Sequence, residues 1–400
     1  MSISFDTVII GGLGHVGLPL GLAFAAKGLN VALYDINEEV ADTVRSGKMP
    51  FVEHGAEPLL RNALSQNRLT ISSSALVIGQ AQSVIVAVGT PVDRYLNPKT
   101  REFLSVFHEF RKQLRPEQTI IIRSTVYPNT CRQLVKHLAA DGKRWHVAYC
   151  PERIAQGYAI QELAELPQLV SGLSQKAVDD AKTLFGKIAP KLIEVSIEEA
   201  EFAKLFSNAW RYIQFAVANQ FYMIANNFGV DFNRVRKVMM EGYGRAATVP
   251  AAGFAAGPCL LKDTMQLAAF NNNNFLLGHA AMMVNEALPN FIVEQLRRNF
   301  SLDGLRVGIL GMAFKADIDD IRDSLSYKLE KILHFHGATV LRSDEFVRDV
   351  GFVPKEELCA RADVIVVGAP HSTYRALAIP TGKALIDPWG IIACRTAGDF

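Results

Sequence analysis

Residues 9–26, IIGGLGHVGLPLGLAFAA, decide the fold. A β-branched run enters Gly12-Leu13-Gly14-His15-Val16-Gly17, and an apolar helical pattern leaves it. The glycines of such a strand–turn–helix unit permit a tight turn, close approach of a pyrophosphate to the backbone, and close packing of helix on strand. The run is no signal peptide or membrane span, because it lacks a basic leader, encloses His15 and is interrupted by five glycines. Asp35 closes the next expected strand, 18 residues after Gly17. A carboxylate there accepts from adenosine ribose hydroxyls and repels a 2′-phosphate, so the expected dinucleotide is NAD rather than NADP.

Outward from this unit, short β-branched runs alternate with helical patterns. Strands are expected at Thr7–Gly11, Asn30–Asp35, Ser83–Gly89, Thr119–Ser124 and His146–Cys150. That alternation predicts a mostly parallel sheet covered by helices. Ligands of such sheets bind beyond the carboxyl ends of strands, which places Thr90 and Thr125 in the cofactor cleft. From Ile197 the texture changes. Residues 197–227 contain neither Gly nor Pro and read as one long helix, and a second covers 278–299, bent near Pro289. Strand–helix alternation restarts at Leu305–Leu310, Thr339–Arg342, Val364–Gly368 and Ala384–Asp387. The expected fold is α/β: two Rossmann-like, doubly wound parallel-sheet domains, 1–196 and 301–400, joined by an all-helical domain, 197–300.

Composition bounds the function. The 400 residues exceed one ordinary core, 49% are hydrophobic, and the net charge of +2 argues against a large nucleic-acid surface. Five cysteines (Cys131, Cys150, Cys259, Cys359, Cys394) show neither CxxC nor metal-ligand spacing. No metal is expected, and an odd, sparse set suits reduced thiols in a cytoplasm.

Cys259 stands apart within GFAAGPCLLKD, residues 253–263. Gly257 is suited to N-cap a helix and Pro258 to open it, which puts Cys259 among unpaired N–H groups that favour a thiolate. Lys262 lies one turn on, and Asp263 shares the face of Cys259 at i,i+4. On the long helix, Lys204, Asn208 and Arg211 share a face at i, i+4, i+7 among apolar neighbours, and a buried lysine needs a partner or a task.

Together these segments resemble the UDP-glucose/GDP-mannose dehydrogenase family, the nucleotide-sugar 6-dehydrogenases. GGLGHVGLPLG is similar to the family's opening fingerprint, STVYPNT to its threonine loop, and Pro151-Glu152-Arg153 to its substrate loop. EFAKLFSNAWR, GPCLLKD and LGMAFKADIDDIRDS resemble the catalytic helix, the nucleophile loop and the third-domain signature. The resemblance implies oxidation of a C6 alcohol to a carboxylate with two NAD. Lys204 and Asn208 would stabilise the reacting oxygen, and Cys259 would form a thiohemiacetal and then a thioester. Asp263 or Glu152 would activate water or orient Lys204. It further implies that Glu152, Arg153, Arg211 and Lys315 face the substrate, that Lys262 and Arg322 reach the cofactor, and that Arg245 reaches across a homodimer.

Gln156 replaces a second glutamate common in the glucose-oxidising branch. PERIAQG and the spacing from Arg245 to Cys259 resemble the branch acting on UDP-N-acetylhexosamines. The expected substrate is therefore a UDP-N-acetylhexosamine, with UDP-glucose or GDP-mannose as alternatives. A single-hydride hydroxyacid dehydrogenase would explain neither Cys259 nor the third domain. A non-catalytic NAD-binding regulator would need none of Lys204, Asn208, Cys259 and Asp263.

Overall fold

A computed structural model describes residues 3–90, 92–93, 98–139 and 144–392; Pro91 and Cys394 fall outside them. The chain divides into two compact units, Met1–Ser207 and Asn208–Phe400.

The first unit is built on β1 (Phe5–Ile10), β2 (Val31–Tyr34), β3 (Leu69–Ser72), β4 (Ala81–Val86), β5 (Thr119–Ile122), β6 (His146–Tyr149), β7 (Gln168–Gly172) and β8 (Leu192–Glu194). Their order across the sheet is β3-β2-β1-β4-β5-β6-β7-β8. All pairings are parallel except β6 with β7. The central strands are apolar on both sides because both faces are covered. Ile9 and Ile121 enter one core with Leu18, Leu22 and Phe185, while Val8, Ile10, Ile120 and Ile122 enter another with Phe103, Phe107 and Leu134. The strand order reverses between β1 and β4, the place where such sheets hold ligands.

In the second unit, β9 (Arg306–Leu310), β10 (Thr339–Ser343), β11 (Val364–Val367) and β12 (Ala384–Ile386) form a parallel sheet ordered β10-β9-β11-β12. Val307, Ile309, Val364 and Val366 pack against Tyr222, Leu288 and Ile292 of the long helices; Leu310, Ile365 and Val367 pack on the other face with Leu358 and Tyr374.

The long helix runs Ile197–Asn227, as its unbroken sequence predicts. The second starts slightly earlier than expected, at Leu276, and carries Pro289 inside Leu276–Asn299. The long helix is less buried than its composition predicts. Phe206, Trp210, Val217, Phe221 and Ile224 are exposed, a single stripe at helical spacing. Among the described residues, no helix is long and apolar enough to cross a membrane, and no cluster of His, Cys, Asp and Glu could hold a metal.

Candidate active site

In the first unit the glycine turn has the shape a dinucleotide needs. A Cβ on Gly17 would lie 2.3 Å from the Gly11 carbonyl oxygen, and one on Gly12 would lie 2.8 Å from the Ile9 oxygen. Both glycines are therefore required by close approach of backbone to backbone. Gly14 is exposed, and its Cβ would meet nothing nearer than 3.6 Å, so the space above it is open for a pyrophosphate. Val16, the N-cap of the helix Gly17–Ala26, has no polar side chain to cap it. Leu18 donates to the Gly14 carbonyl at 3.0 Å and Pro19 has no N–H, so the first-turn amide that remains for a phosphate is that of Gly17. Asp35 braces the turn: Oδ2 accepts from the Leu13 amide at 3.1 Å and Oδ1 from Asn37 at 3.2 Å. These features fit NAD. His15 packs against Phe51 with centroids 4.0 Å apart and the rings tilted by 42°, and Gln156 Nε2 lies 3.1 Å from its Nδ1. Thr90 and Thr125 are half-buried beyond the ends of β4 and β5.

The loop after β6 carries Glu152 and Arg153. Glu152 is buried in an ion pair with Arg123, a residue that the sequence alone did not mark. Arg123 also donates to the carbonyls of Cys150 at 3.0 Å and Pro151 at 3.4 Å and to Gln168 Oε1 at 2.5 Å. The other Glu152 oxygen accepts from the amides of Arg153 and Ile154, both at 2.6 Å. Glu152 thus has both oxygens engaged. The Arg153 guanidinium donates to the Pro167 carbonyl, and burial lowers its pKa. Lys204 is only 7% exposed, and no hydrogen bond or ion pair engages its ammonium among the described residues. Glu201, one turn earlier, is buried and accepts from the amides of Asn129 at 2.7 Å and Cys131 at 3.1 Å; burial raises its pKa.

In the second unit the nucleophile helix begins later than its sequence suggests. It runs Leu260–Phe270, so Cys259 itself occupies the N-cap position and Gly257 and Pro258 precede the helix. Gly257 has φ +97°, in the left-handed region, and a Cβ there would strike the Phe314 ring. The chain turns at Gly257 before it can coil. Cys259 is exposed, whereas Cys131, Cys150 and Cys359 are buried. Burial pushes the Cys150 thiol up to about 12 and the Cys359 thiol up to about 11, which leaves them inert. The pKa of the Arg322 guanidinium is raised chiefly by its hydrogen bond to Asp320, and the charge of Cys259 adds to this, so the guanidinium lies within electrostatic reach of the sulfur.

One turn into the helix, the Asp263 amide donates to the Cys259 carbonyl at 2.8 Å. The Asp263 carboxylate is 1% exposed. Its Oδ2 accepts from Asn208 Nδ2 at 2.6 Å, while Oδ1 is buried without a hydrogen bond and lies 3.4 Å from Lys262 Nζ. The stripe expected on the long helix is split: Lys204 and Asn208 are buried, but Arg211 is exposed. Seven residues advance the helix about 700°, only about 20° short of two turns, so Arg211 keeps the face of Lys204 and its exposure reflects its place along the helix axis rather than rotation. Arg245 is exposed in the short turn Gly244–Ala246, and Lys315 is half-buried beyond β9.

The family models for UDP-glucose/GDP-mannose dehydrogenases match three successive segments. These are the NAD binding domain over residues 6–189, the central domain over 198–287 and the UDP binding domain over 308–398. A UDP-N-acetyl-D-mannosamine dehydrogenase of Methanocaldococcus jannaschii is 27% identical over 91% of this chain and 85% of its own. The structure of the UDP-D-ManNAc dehydrogenase of Pyrococcus horikoshii superposes with a TM-score of 0.90, at 26% identity, covering 98% of this chain and 97% of that one. That of a UDP-glucose dehydrogenase of Pyrobaculum islandicum gives 0.87 at 25% identity, covering 97% and 94%. The chain belongs to the UDP-glucose/GDP-mannose dehydrogenase family and is an NAD-dependent nucleotide-sugar dehydrogenase.

Proposed function

We propose that this enzyme oxidises the C6 alcohol of a UDP-N-acetylhexosamine to the uronic acid through a thiohemiacetal and a thioester on Cys259. The observation that carries the reading is the exposed Cys259 at a helix N-terminus, set one turn from the buried Asp263–Asn208 pair. NAD, bound on the glycine turn, supplies the hydride acceptor for both oxidations.

The residues have separable tasks. An amide nitrogen carries two donors, and Asp263 takes one of the two on Asn208. The other, with the Lys204 ammonium, stabilises charge on the sugar oxygen as its hydroxyl proton passes to water and the first hydride leaves for NAD. The Cys259 thiolate then adds to the aldehyde carbon, a C–S bond forms, and the oxygen takes up a proton. Loss of that proton and of a second hydride gives the thioester. Water attack breaks the C–S bond, releasing the carboxylate and restoring the thiolate. Asp263 is assigned the activation of that water, because its Oδ1 is unbonded while both oxygens of Glu152 are engaged. Glu152 and Arg153 then shape the substrate loop, and Thr125 lines the cofactor cleft beside Thr90. Lys262 and Arg322 serve the cofactor, and Lys315 and Arg211 serve the substrate.

These tasks are divided among domains 1–196, 197–300 and 301–400. A homodimer would cover the apolar stripe Phe206–Ile224 on the long helix, with Arg245 completing the neighbour's site. The sparse cysteines suit a reducing cytoplasm, where uronic acids are made for polysaccharides. Two of the relatives above are named for UDP-N-acetylmannosamine, and Gln156 stands against His15 where the glucose branch carries a glutamate. An NADH-linked assay across UDP-glucose, UDP-GlcNAc, UDP-ManNAc, UDP-GalNAc and GDP-mannose tests the substrate. The highest kcat/KM is expected on an acetamido sugar, and a higher value on UDP-glucose would refute that part of the reading.

A further inference from the structure

The second sheet holds a buried acid–imidazole pair that the reaction above does not use. Asp344 follows β10 and His371 follows β11, and both side chains are fully buried. His371 Nδ1 accepts from the Asp317 amide at 2.9 Å, so its proton sits on Nε2, which donates to Asp344 Oδ2 at 3.0 Å. The same Asp344 oxygen accepts from the amides of Met312 at 2.7 Å and Ala313 at 2.9 Å, just beyond β9. Its Oδ1 accepts from Phe346 and Val347. Asp317 returns the contact, its Oδ1 accepting from the Ser372 amide at 2.8 Å and hydroxyl at 3.1 Å. The ends of β9, β10 and β11 are thereby tied together where the strand order reverses, the position at which such sheets bind ligands.

Lys315 lies between two tied points, the Ala313 amide held by Asp344 and the Asp317 amide held by His371. Phe314 extends the tie: its ring stands 2.5 Å from where a Gly257 Cβ would be, two residues ahead of Cys259. A buried carboxylate with five satisfied donors, one of them a buried imidazole, is a rigid unit, because losing any one bond leaves a polar group stranded away from water.

We propose that the Asp344–His371 pair is a positioning clasp, which presets residues 312–317 so that Lys315 meets the UDP end of the substrate and Phe314 fixes the approach to Cys259. The inference rests on the reading that this domain takes the UDP moiety, so the test reads UDP binding directly, and turnover enters only through the control, the KM for NAD. Calorimetric titration with UDP is compared for the full-length parent, His371→Leu and His371→Gln, alongside the KM for NAD. Leucine keeps the volume and loses both bonds; glutamine keeps a donor toward Asp344 and a carbonyl acceptor.

UDP affinity is expected to fall at least tenfold in His371→Leu and two- to fourfold in His371→Gln, with the KM for NAD within twofold in both. If the leucine variant fails to fold, the glutamine variant decides by the same criterion. UDP affinity within twofold of the parent in every folded variant would overturn the clasp. So would a KM for NAD that rises as much as the dissociation constant for UDP, since that marks general loss of structure. A parent chain that does not bind UDP would overturn the reading of the domain, and the clasp with it.

Discussion

Asn208→Asp exchanges one NH2 for one oxygen with no change of shape, at a point where the geometry is severe. Asn208 Nδ2 lies 2.6 Å from Asp263 Oδ2, and the residues are 7% and 1% exposed. Two ionised oxygens at that separation would repel by about 6 kcal/mol at an effective dielectric of 20. Taking up a proton is cheaper. Holding one carboxyl of ordinary pKa, about 3.9, protonated at pH 7 costs about 4 kcal/mol, and this sets the loss of stability. Lys262, 3.4 Å from the other Asp263 oxygen, reduces the repulsion without removing it. The shared proton gives the folded variant a raised carboxyl pKa, so stability is fully present below the unfolded pKa and is lost as pH rises. The loss of about 4 kcal/mol at pH 7 should therefore shrink to about 1.5 kcal/mol at pH 5. Denaturant unfolding of parent and variant at the two pH values measures this. A variant as stable as the parent at both would refute the buried Asn208–Asp263 contact and the role built on it.

The glycine turn separates packing from binding. Gly17→Ala should cost about 1–3 kcal/mol in thermal unfolding because its Cβ overlaps the Gly11 carbonyl, whereas Gly14→Ala should unfold like the parent yet raise the KM for NAD at least tenfold. Arg123→Met strands the buried Glu152 and should cost about 3–5 kcal/mol, part of it recovered in a double variant with Glu152→Gln; a neutral single variant would contradict the buried pair. Mixing Cys259→Ser with Arg245→Ala under subunit exchange should restore about a quarter of all sites if Arg245 acts on the neighbour, and none if it acts within its own chain.

Much of this was legible because it was local. Thirty-one residues without glycine or proline could be little other than one helix, and the turn 12–17 carries its own geometric demands. What escaped is set by long-range contacts or lacks periodicity. β3 (LTIS) and β8 (LIE) are partly exposed edge strands without the continuous apolar run that marks the equally short β5 and β6, and β7 runs antiparallel to β6, breaking the strand–helix rhythm. The start of the nucleophile helix was misplaced because Gly257 is held left-handed by a ring 57 positions away. Arg123 meets Glu152 across 29 residues, and Asp344 meets His371 across 27, pairings that spacing along the chain does not reveal.

The central claim is covalent, two-step oxidation at Cys259, and the stoichiometry of one turnover tests it most directly. Limiting UDP-sugar with excess NAD should yield two NADH per sugar with no free aldehyde, and Cys259→Ala should make no carboxylate while binding UDP-sugar nearly as well as the parent. One NADH per sugar with aldehyde released, or full carboxylate production by Cys259→Ala, would contradict the account.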